Sequence, residues 1–184
     1  GTGTTKPANQ PLTPGVDKGV LIRVPNMDVY NLAAQAMGYN TQTIPYADVY
    51  QAIQTGVVNG VNGYPVAAAY TALGDVLENW YMTNYSIEVL NFMISGKTWA
   101  KINPEDQAVI EKILADATTS SIENAQSVDQ HYMDLMKEKG IKVHTYTKEE
   151  LQPIMKACAS TWPKLEKNMT KELMDEFRKE LAPE

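Results

Sequence analysis

Cysteine and histidine are scarce in this chain of 184 residues, which contains one cysteine, Cys158, and two histidines, His131 and His144. A single cysteine excludes an intrachain disulfide framework and a CxxC metal or redox site. The two histidines are far apart in sequence and lack the spacing of a metal site. Neither a GxSxG nor an HExxH motif is present. The sequence therefore indicates no catalytic residue, no metal and no cofactor.

An excess of positive charge and a long hydrophobic run are also missing. The net charge is −6, and acidic and basic residues are interleaved, which argues against a nucleic-acid-binding face. No apolar stretch approaches the roughly 20 residues of a membrane span. Because the first residue is Gly1 rather than Met, we expect a processed chain or a fragment, from which a signal peptide has been removed.

Short apolar runs alternate with helical patterns over the first 80 residues. This alternation predicts an α/β fold, a parallel sheet flanked by helices with right-handed crossovers. Ligands bind beyond the carboxyl ends of the strands in such sheets. Residues 1–18 are rich in Gly, Thr and Pro and predict a loop or an edge segment. The predicted strands are 20–24, 41–45 and 57–63, and the predicted helices are 28–37, 46–56 and 64–80.

A long helical pattern dominates the second half of the chain. After a predicted strand at 85–95, the pattern runs from 104 to 139 without an internal Pro or Gly. A helix of about 35 residues is ~52 Å long, whereas a compact chain of this size is ~40 Å across. The helix therefore either kinks near 118–121 or runs across two lobes. A short strand at 141–146 and a C-terminal helix that Pro163 kinks or divides complete the prediction.

Arg23 lies near the carboxyl end of the otherwise apolar run 20–24. Burying a guanidinium is costly unless an anion meets it. No acidic residue occupies the four positions before Arg23, and Asp28 is interpreted as a helix cap. Two interpretations stay open. The side chain either reaches water or an internal carboxylate, or its planar fork binds a carboxylate of a ligand.

Polar and aromatic residues follow the other predicted strands at the same edge. In the turn 59–65, Asn62 offers a donor and an acceptor, and Gly63 lets the backbone approach a ligand closely. An ordinary glycine-rich turn explains this stretch equally well, and it is not a phosphate loop. Tyr46 and Tyr64 lie at strand-to-helix turns, where they can line a pocket.

Three stretches resemble a known family: "KGVLIRVPNMDVYNLAAQAMG", "TIPYADVYQAIQTGVVNG" and "WAKINPEDQAVIEKI". They are similar to the solute-binding proteins of tripartite ATP-independent periplasmic (TRAP) transporters, of the dicarboxylate-binding (DctP) type. The resemblance covers nearly the whole chain and is specific in the order and spacing of its motifs. It implies a two-lobed periplasmic receptor that closes on a small organic acid and delivers it to the TRAP membrane permease subunits.

The resemblance also implies a binding site. Arg23 matches the strand arginine that pairs with the carboxylate of the ligand, and Tyr46 matches the aromatic residue before the second helix. Gly3 stands where receptors similar to the sialic-acid type carry a second arginine, so the resemblance does not imply a second anionic contact at this position. The implied ligand-binding residues are Arg23, Asn26, Met27, Tyr46, Asn62, Gly63, Tyr64 and Glu88.

By this resemblance the chain is the C-terminal portion of a receptor and lacks the N-terminal part, which we expect as a further partner. Residues 1–88 would form the ligand-binding lobe, a periplasmic-binding-protein-like lobe. Residues 89–128 would return in part to the other lobe, and residues 129–184 would be C-terminal helices that close back on the first segment. The long helix would bridge to this second, incomplete lobe, and alone the chain would expose apolar surface.

Two alternatives to a receptor stay open at this stage. One is a small α/β enzyme in which Arg23 anchors a carboxylate substrate and Asp48, the only nearby acid, acts as a base. The other is a sensor domain with the same fold. The ligand is not identified either, because lactate-like monoacids, C4 dicarboxylates and sugar acids all fit one arginine.

Overall fold

A six-stranded sheet with helices packed on it forms the centre of residues 1–181, the part of the chain that this computed structural model describes. The strands are β1 (Thr2–Thr4), β2 (Leu21–Val24), β3 (Asn40–Thr43), β4 (Gly60–Asn62), β5 (Asn79–Tyr81) and β6 (Lys142–His144). The α-helices are α1 (Asp28–Ala36), α2 (Val49–Gln54), α3 (Val66–Leu73), α4 (Gly96–Trp99), α5 (Pro104–Glu138), α6 (Lys148–Ala159) and α7 (Lys171–Leu181). Two 3₁₀ turns, Tyr46–Asp48 and Trp162–Asn168, precede α2 and α7.

The strand order is β3-β2-β4-β1-β5-β6. Strand β2 pairs in parallel with β3 and β4, and β5 pairs in parallel with β6, as the alternation of strands and helices predicts. Strand β1 is antiparallel to both of its neighbours, β4 and β5. The prediction of a loop or an edge segment at 1–18 is therefore wrong for Thr2–Thr4, which lies inside the sheet and is fully buried.

Two other predictions in the first half need correction. The third helix ends at Leu73 instead of continuing to residue 80. Strand β5 begins at Asn79, inside the range that was predicted for this helix. The predicted strand at 85–95 is wrong, because this segment has no strand alongside it within residues 1–181 and stays irregular. A strand needs a hydrogen-bonded neighbour, whatever its composition. Tyr85 is partly buried, but the side chains from residue 86 to residue 95 are exposed, with Ile87 at 89% and Met93 at 91% exposure.

The helix α5 is continuous over its 35 residues, including the stretch 118–121. The Asn103 side chain caps its first turn by accepting a hydrogen bond from the Asp106 backbone N–H at 2.9 Å. Only the C-terminal end of α5 packs on the sheet layer. Met136 is buried there, and the ring centroids of Tyr132 and of Tyr70 on α3 are 5.7 Å apart. Apolar side chains nearer its start are exposed, among them Ile113 and Ile122.

The C-terminal helices follow the local sequence signals. Thr147 and Glu150 form a reciprocal capping box at the start of α6. Pro163 falls in the 3₁₀ turn that separates α6 from α7, so the predicted division of the C-terminal helix is confirmed. Ile154 is completely buried and packs with the α1 side of the sheet.

Two apolar clusters cover opposite faces of the sheet, because side chains alternate along each strand. Ile22 and Val24 of β2 join the cluster that includes α1 and α6. Val61 of β4 joins the cluster that includes α2, α3 and the end of α5. These cores fix the carboxyl ends of β2, β3 and β4 side by side, and this edge carries the predicted binding residues. No helix within residues 1–181 combines the length and the apolar character that crossing a membrane requires.

Candidate functional site

Arg23 is buried at the carboxyl end of β2, with only 4% of its surface exposed. Its Nε donates a hydrogen bond of 2.8 Å to the backbone carbonyl of Ile44, which follows β3. A guanidinium has five N–H donors, so this bond fixes its position and leaves most of its donor capacity unspent. No ion pair between Arg23 and a carboxylate occurs within residues 1–181. The interpretation in which an internal carboxylate neutralises Arg23 is therefore excluded for this part of the chain.

Burial and three neighbouring tyrosines act on the pKa of Arg23. Burial lowers the pKa of Arg23, and the phenols of Tyr64, Tyr46 and Tyr30 act in the opposite direction. The guanidinium carbon lies 5.8 Å from the centre of the Tyr64 ring, within the range of a cation–π contact. Because an arginine side chain stays protonated in proteins, the site contains a buried positive charge that no anion among the described residues neutralises.

Tyr46 and Tyr64 form a stacked pair beside Arg23. Their ring centroids are 5.1 Å apart and the ring planes differ by 15°. Tyr64 is the inner ring, with 4% exposure, and burial raises its pKa to about 12. Tyr46 is the outer ring, with 62% exposure. The pair therefore presents one tyrosine ring to solvent directly beside the guanidinium.

Gly63 connects β4 to this tyrosine pair, and its own surroundings require a glycine. Its φ of +83° favours glycine, and a Cβ at this position would lie 2.9 Å from Cδ of Pro25. The same Cβ would lie 3.3 Å from the ring of Tyr30. That a ligand also approaches the backbone at Gly63 stays a prediction.

Asn62 is completely buried, and both ends of its amide are engaged within the protein. Its Nδ2 donates to Oγ1 of Thr2 at 2.8 Å, and its Oδ1 accepts a hydrogen bond from the Tyr85 hydroxyl. Burial raises the pKa of Tyr85. Asn62 thus anchors the segment after β5 to the end of β4. Thr2, Tyr30 and Tyr85 were missed by sequence reasoning; for Tyr30 the available signal was its position in the first turn of α1, beside the predicted site.

The model of the bacterial extracellular solute-binding proteins, family 7 (DctP), matches residues 4–168. The chain belongs to this family. The match covers the sheet, the long helix and most of the C-terminal region, so membership does not rest on one motif.

Two curated relatives of this family 7 protein come from Vibrio cholerae. The sialic acid-binding periplasmic protein SiaP is 24% identical over 163 residues, which are 88% of this chain and 50% of that protein. The C4-dicarboxylate-binding periplasmic protein DctP is 27% identical over 169 residues, which are 91% of this chain and 51% of that protein. The chain spans about half the length of the curated relatives it matches.

Solved structures share the fold. A TRAP periplasmic solute-binding protein from Ralstonia eutropha with bound (S)-2-acetolactate superposes with a TM-score of 0.80 at 21% identity, covering 95% of this chain and 57% of that one. One from Shewanella oneidensis with bound succinate gives a TM-score of 0.75 at 21% identity, with 95% and 56% coverage. At such identity the likeness shows the fold alone.

The remaining predicted residues of the family 7 protein lie on the exposed rim of the site. Asn26 and Met27 follow β2 and are exposed; Met27 is the N-cap residue of α1. Asp28 does not cap this helix as expected but forms an ion pair of 2.9 Å with Lys167. Glu88 is exposed beyond β5, and after burial it is the main cause of the raised pKa of Tyr30.

A bulky side chain at Gly3 does not fit this family 7 protein. A Cβ there would lie 2.7 Å from Cδ1 of Leu77 and 3.1 Å from the ring of Trp80. Both of these residues belong to the core under the sheet. An arginine at position 3 would therefore have to displace the core, in agreement with the single arginine of the site.

Two side chains that catalysis can use, His144 and Cys158, are engaged or buried away from Arg23. His144 stacks on Tyr81 at 4.4 Å, and its Nε2 lies 3.2 Å from Oδ1 of Asn79. Cys158 is buried, which raises its pKa to about 12, and Asp48 is exposed on the turn after Tyr46. No cluster of three or more His, Cys, Asp or Glu side chains suited to a metal ion occurs among the residues described. The arrangement around Arg23 can bind and orient an anion.

Proposed function

We propose that the chain is the C-terminal half of a periplasmic receptor that binds a small organic carboxylate and delivers it to the permease subunits of a TRAP transporter. The observation that carries the proposal is Arg23, a buried guanidinium that makes one backbone hydrogen bond and, within residues 1–181, no ion pair with a carboxylate. A carboxylate that meets the free side of the fork supplies the missing counter-charge and pairs with it in a bidentate geometry.

The other residues of the site have distinct roles in this proposal. Tyr46, Tyr64 and Met27 shape the pocket wall around the bound acid, and Asn26 lies at its rim. Asn62 donates one amide N–H to Thr2 and accepts a hydrogen bond from Tyr85, so it holds both of these residues at the end of β4. Asn62 and Gly63 thereby position the residues that follow β4, and Glu88, which is exposed and acts on Tyr30, belongs to the proposed ligand-binding residues.

Exposed apolar residues support the proposal that another part of the receptor completes the cleft. The segment 85–95 and the start of α5 carry large side chains that soluble domains usually cover. We propose residues 1–88 as the binding lobe, 89–128 as the partial return to a second lobe, and 129–184 as the helices that close back. Hinge closure between the lobes would bury the acid.

A receptor is favoured over an enzyme by the family and by the site. The named relatives are binding proteins. Beside Arg23 stand three phenols rather than a nucleophile paired with a base. We therefore propose a binding role without turnover, and formation of product from any bound organic acid would overturn this part of the proposal.

The test is a thermal-shift screen of organic acids on the complete receptor, with Arg23→Met as the variant and Arg178→Met as the matched control. Arg178 is the other arginine of the chain; it lies on α7 and pairs with Glu166 and Asp175. A ligand at a hundredfold excess over Kd stabilises by about 2.7 kcal/mol, which raises Tm by several degrees. We expect this rise in the wild type and in Arg178→Met, and its loss in Arg23→Met. An equal rise in all three proteins would refute the proposal.

A further inference from the structure

The backbone of the chain separates from the sheet directly after β5. The N–H of Met82 donates a hydrogen bond of 2.9 Å to the His144 carbonyl and so continues the pairing of β5 with β6. Thr83 is buried, and its N–H bonds back to the Tyr81 carbonyl at 3.0 Å. In the described part of the chain, residues 84–94 make no backbone hydrogen bond. The backbone hydrogen bonding of the sheet layer therefore ends at Thr83.

Asn84, the next residue, changes the direction of the chain. Its φ is +47°, in the left-handed region that few residues other than glycine adopt and that asparagine tolerates well. Its side chain is exposed, and so are the side chains of residues 86–95 that follow. Hinges between lobes are a few residues of this kind, at the end of an element, where a change of φ and ψ turns everything beyond them.

Tyr85 attaches the chain once more, immediately beyond this turn. Its hydroxyl donates a hydrogen bond to Oδ1 of Asn62, and its ring packs against the apolar cluster of α1 and α6. Asn62 is completely buried and directly precedes Gly63, whose close neighbour Pro25 follows the strand of Arg23. The bond therefore connects the point at which the chain leaves the sheet to the edge of the sheet that carries Arg23.

We infer that Asn84 is a pivot between the two lobes and that the hydrogen bond from Tyr85 to Asn62 fixes the angle at which the chain leaves the binding lobe. Tyr85 is thus a positioning residue for closure. The inference rests on the proposed two-lobed receptor and specifies the residues at which one of its connections turns. The contacts that carry it join atoms on the binding-lobe side, so they do not depend on which groups complete the cleft.

Electron–electron double resonance on the complete receptor, without any added acid, tests the inference. Spin labels are attached through Thr71→Cys on α3 and Asn91→Cys in the exposed segment, in a Cys158→Ala background. Asn91 lies beyond Asn84 by at most about 23 Å of extended chain, so a rotation of about 15° at the pivot displaces it by up to about 6 Å. The distribution of distances between the two labels therefore reports the angle at the pivot.

Tyr85→Phe removes the hydroxyl and keeps the ring. We expect its distance distribution to be wider than that of the wild type, because the chain beyond Asn84 is no longer held at one angle. Tyr146→Phe is the matched control, since the Tyr146 hydroxyl is buried and has no hydrogen-bond partner among the described residues. It should give the wild-type distribution. The same distribution in Tyr85→Phe as in the wild type would overturn the role of the hydrogen bond.

A second pair of variants tests the pivot itself. Asn84→Gly keeps the left-handed conformation accessible, whereas Asn84→Val disfavours it, because a β-branched residue rarely adopts a positive φ. We expect Asn84→Val to shift the mean distance and Asn84→Gly to keep it. The same mean distance in both variants would overturn the pivot. Either negative result leaves the proposed function standing, because the thermal-shift test of Arg23 measures the binding of acids and these distances are measured without one.

Discussion

Replacing Arg23 by methionine should not destabilise the ligand-free protein, although Arg23 is almost completely buried. Methionine has a similar length and fills irregular space with a flexible apolar chain. The substitution removes a buried charge that no carboxylate within residues 1–181 neutralises. A binding residue is therefore expected to lower the stability of the protein that carries it.

The magnitude follows from two opposing terms. The variant loses the charge-assisted hydrogen bond to the Ile44 carbonyl, which contributes about 1.5–3 kcal/mol. It also removes the desolvation cost of the guanidinium, which is several kcal/mol for an ion without a counter-charge. The contact with Tyr64 at 5.8 Å contributes less than either term. We expect a free energy of unfolding between the wild-type value and about 2 kcal/mol above it.

Urea denaturation of the ligand-free protein measures this difference, provided that the slope m is unchanged between the proteins. Val24→Ala is the control on the same strand. Val24 is fully buried, so its truncation should lower the free energy of unfolding by about 1–3 kcal/mol. A loss of more than about 2 kcal/mol in Arg23→Met would refute the reasoning, since it would mean that the guanidinium already has a stabilising partner.

Three further predictions concern the supporting structure. Gly63→Ala should lower the free energy of unfolding by about 2 kcal/mol, because the alanine would have a positive φ and its Cβ would lie 2.9 Å from Pro25. Gly15→Ala is the control: position 15 has a positive φ but open space around the Cβ, so the loss should be about 1 kcal/mol in the same denaturation assay. Equal losses in the two variants would contradict the contact with Pro25. Cys158, whose pKa burial raises to about 12, should react with a disulfide reagent at pH 8 only after unfolding; fast reaction of the native protein would contradict its burial. Burial lowers the pKa of His144, so the unfolded state binds its proton first, and stability falls as the pH drops below about 6.5. His144→Gln should reduce this fall between pH 7.5 and 5.5, and an unchanged fall would refute it.

Features encoded in neighbouring residues could be predicted from the sequence. The run around Arg23 is apolar, ends at Pro25 and forms β2 as expected. The capping box of Thr147 and Glu150 depends on residues three positions apart, and so does the cap at Asn103. Because parallel strands end at one edge, the residues that follow β2, β3 and β4 could be placed together before the structure was known.

Features that depend on distant partners could not be predicted. Strand β1 has three residues of polar or small character, and only its pairing with β4 and β5 makes it a strand. The segment 85–95 is apolar enough for a strand but has no neighbour to pair with in the described chain. The hydrogen bonds of Asn62 to Thr2 and Tyr85, 60 and 23 residues away, could not be predicted from the neighbouring residues.

The central claim is that the guanidinium of Arg23 binds the negatively charged carboxylate of the ligand and selects it over a neutral group. The most direct test is titration calorimetry of the tightest-binding acid and of its neutral primary amide, on the wild-type receptor and on Arg23→Met. We predict that the wild type binds the acid at least about a hundredfold more tightly than the amide, and that Arg23→Met binds the two with nearly equal affinity. The same acid-to-amide ratio in both proteins would contradict the claim.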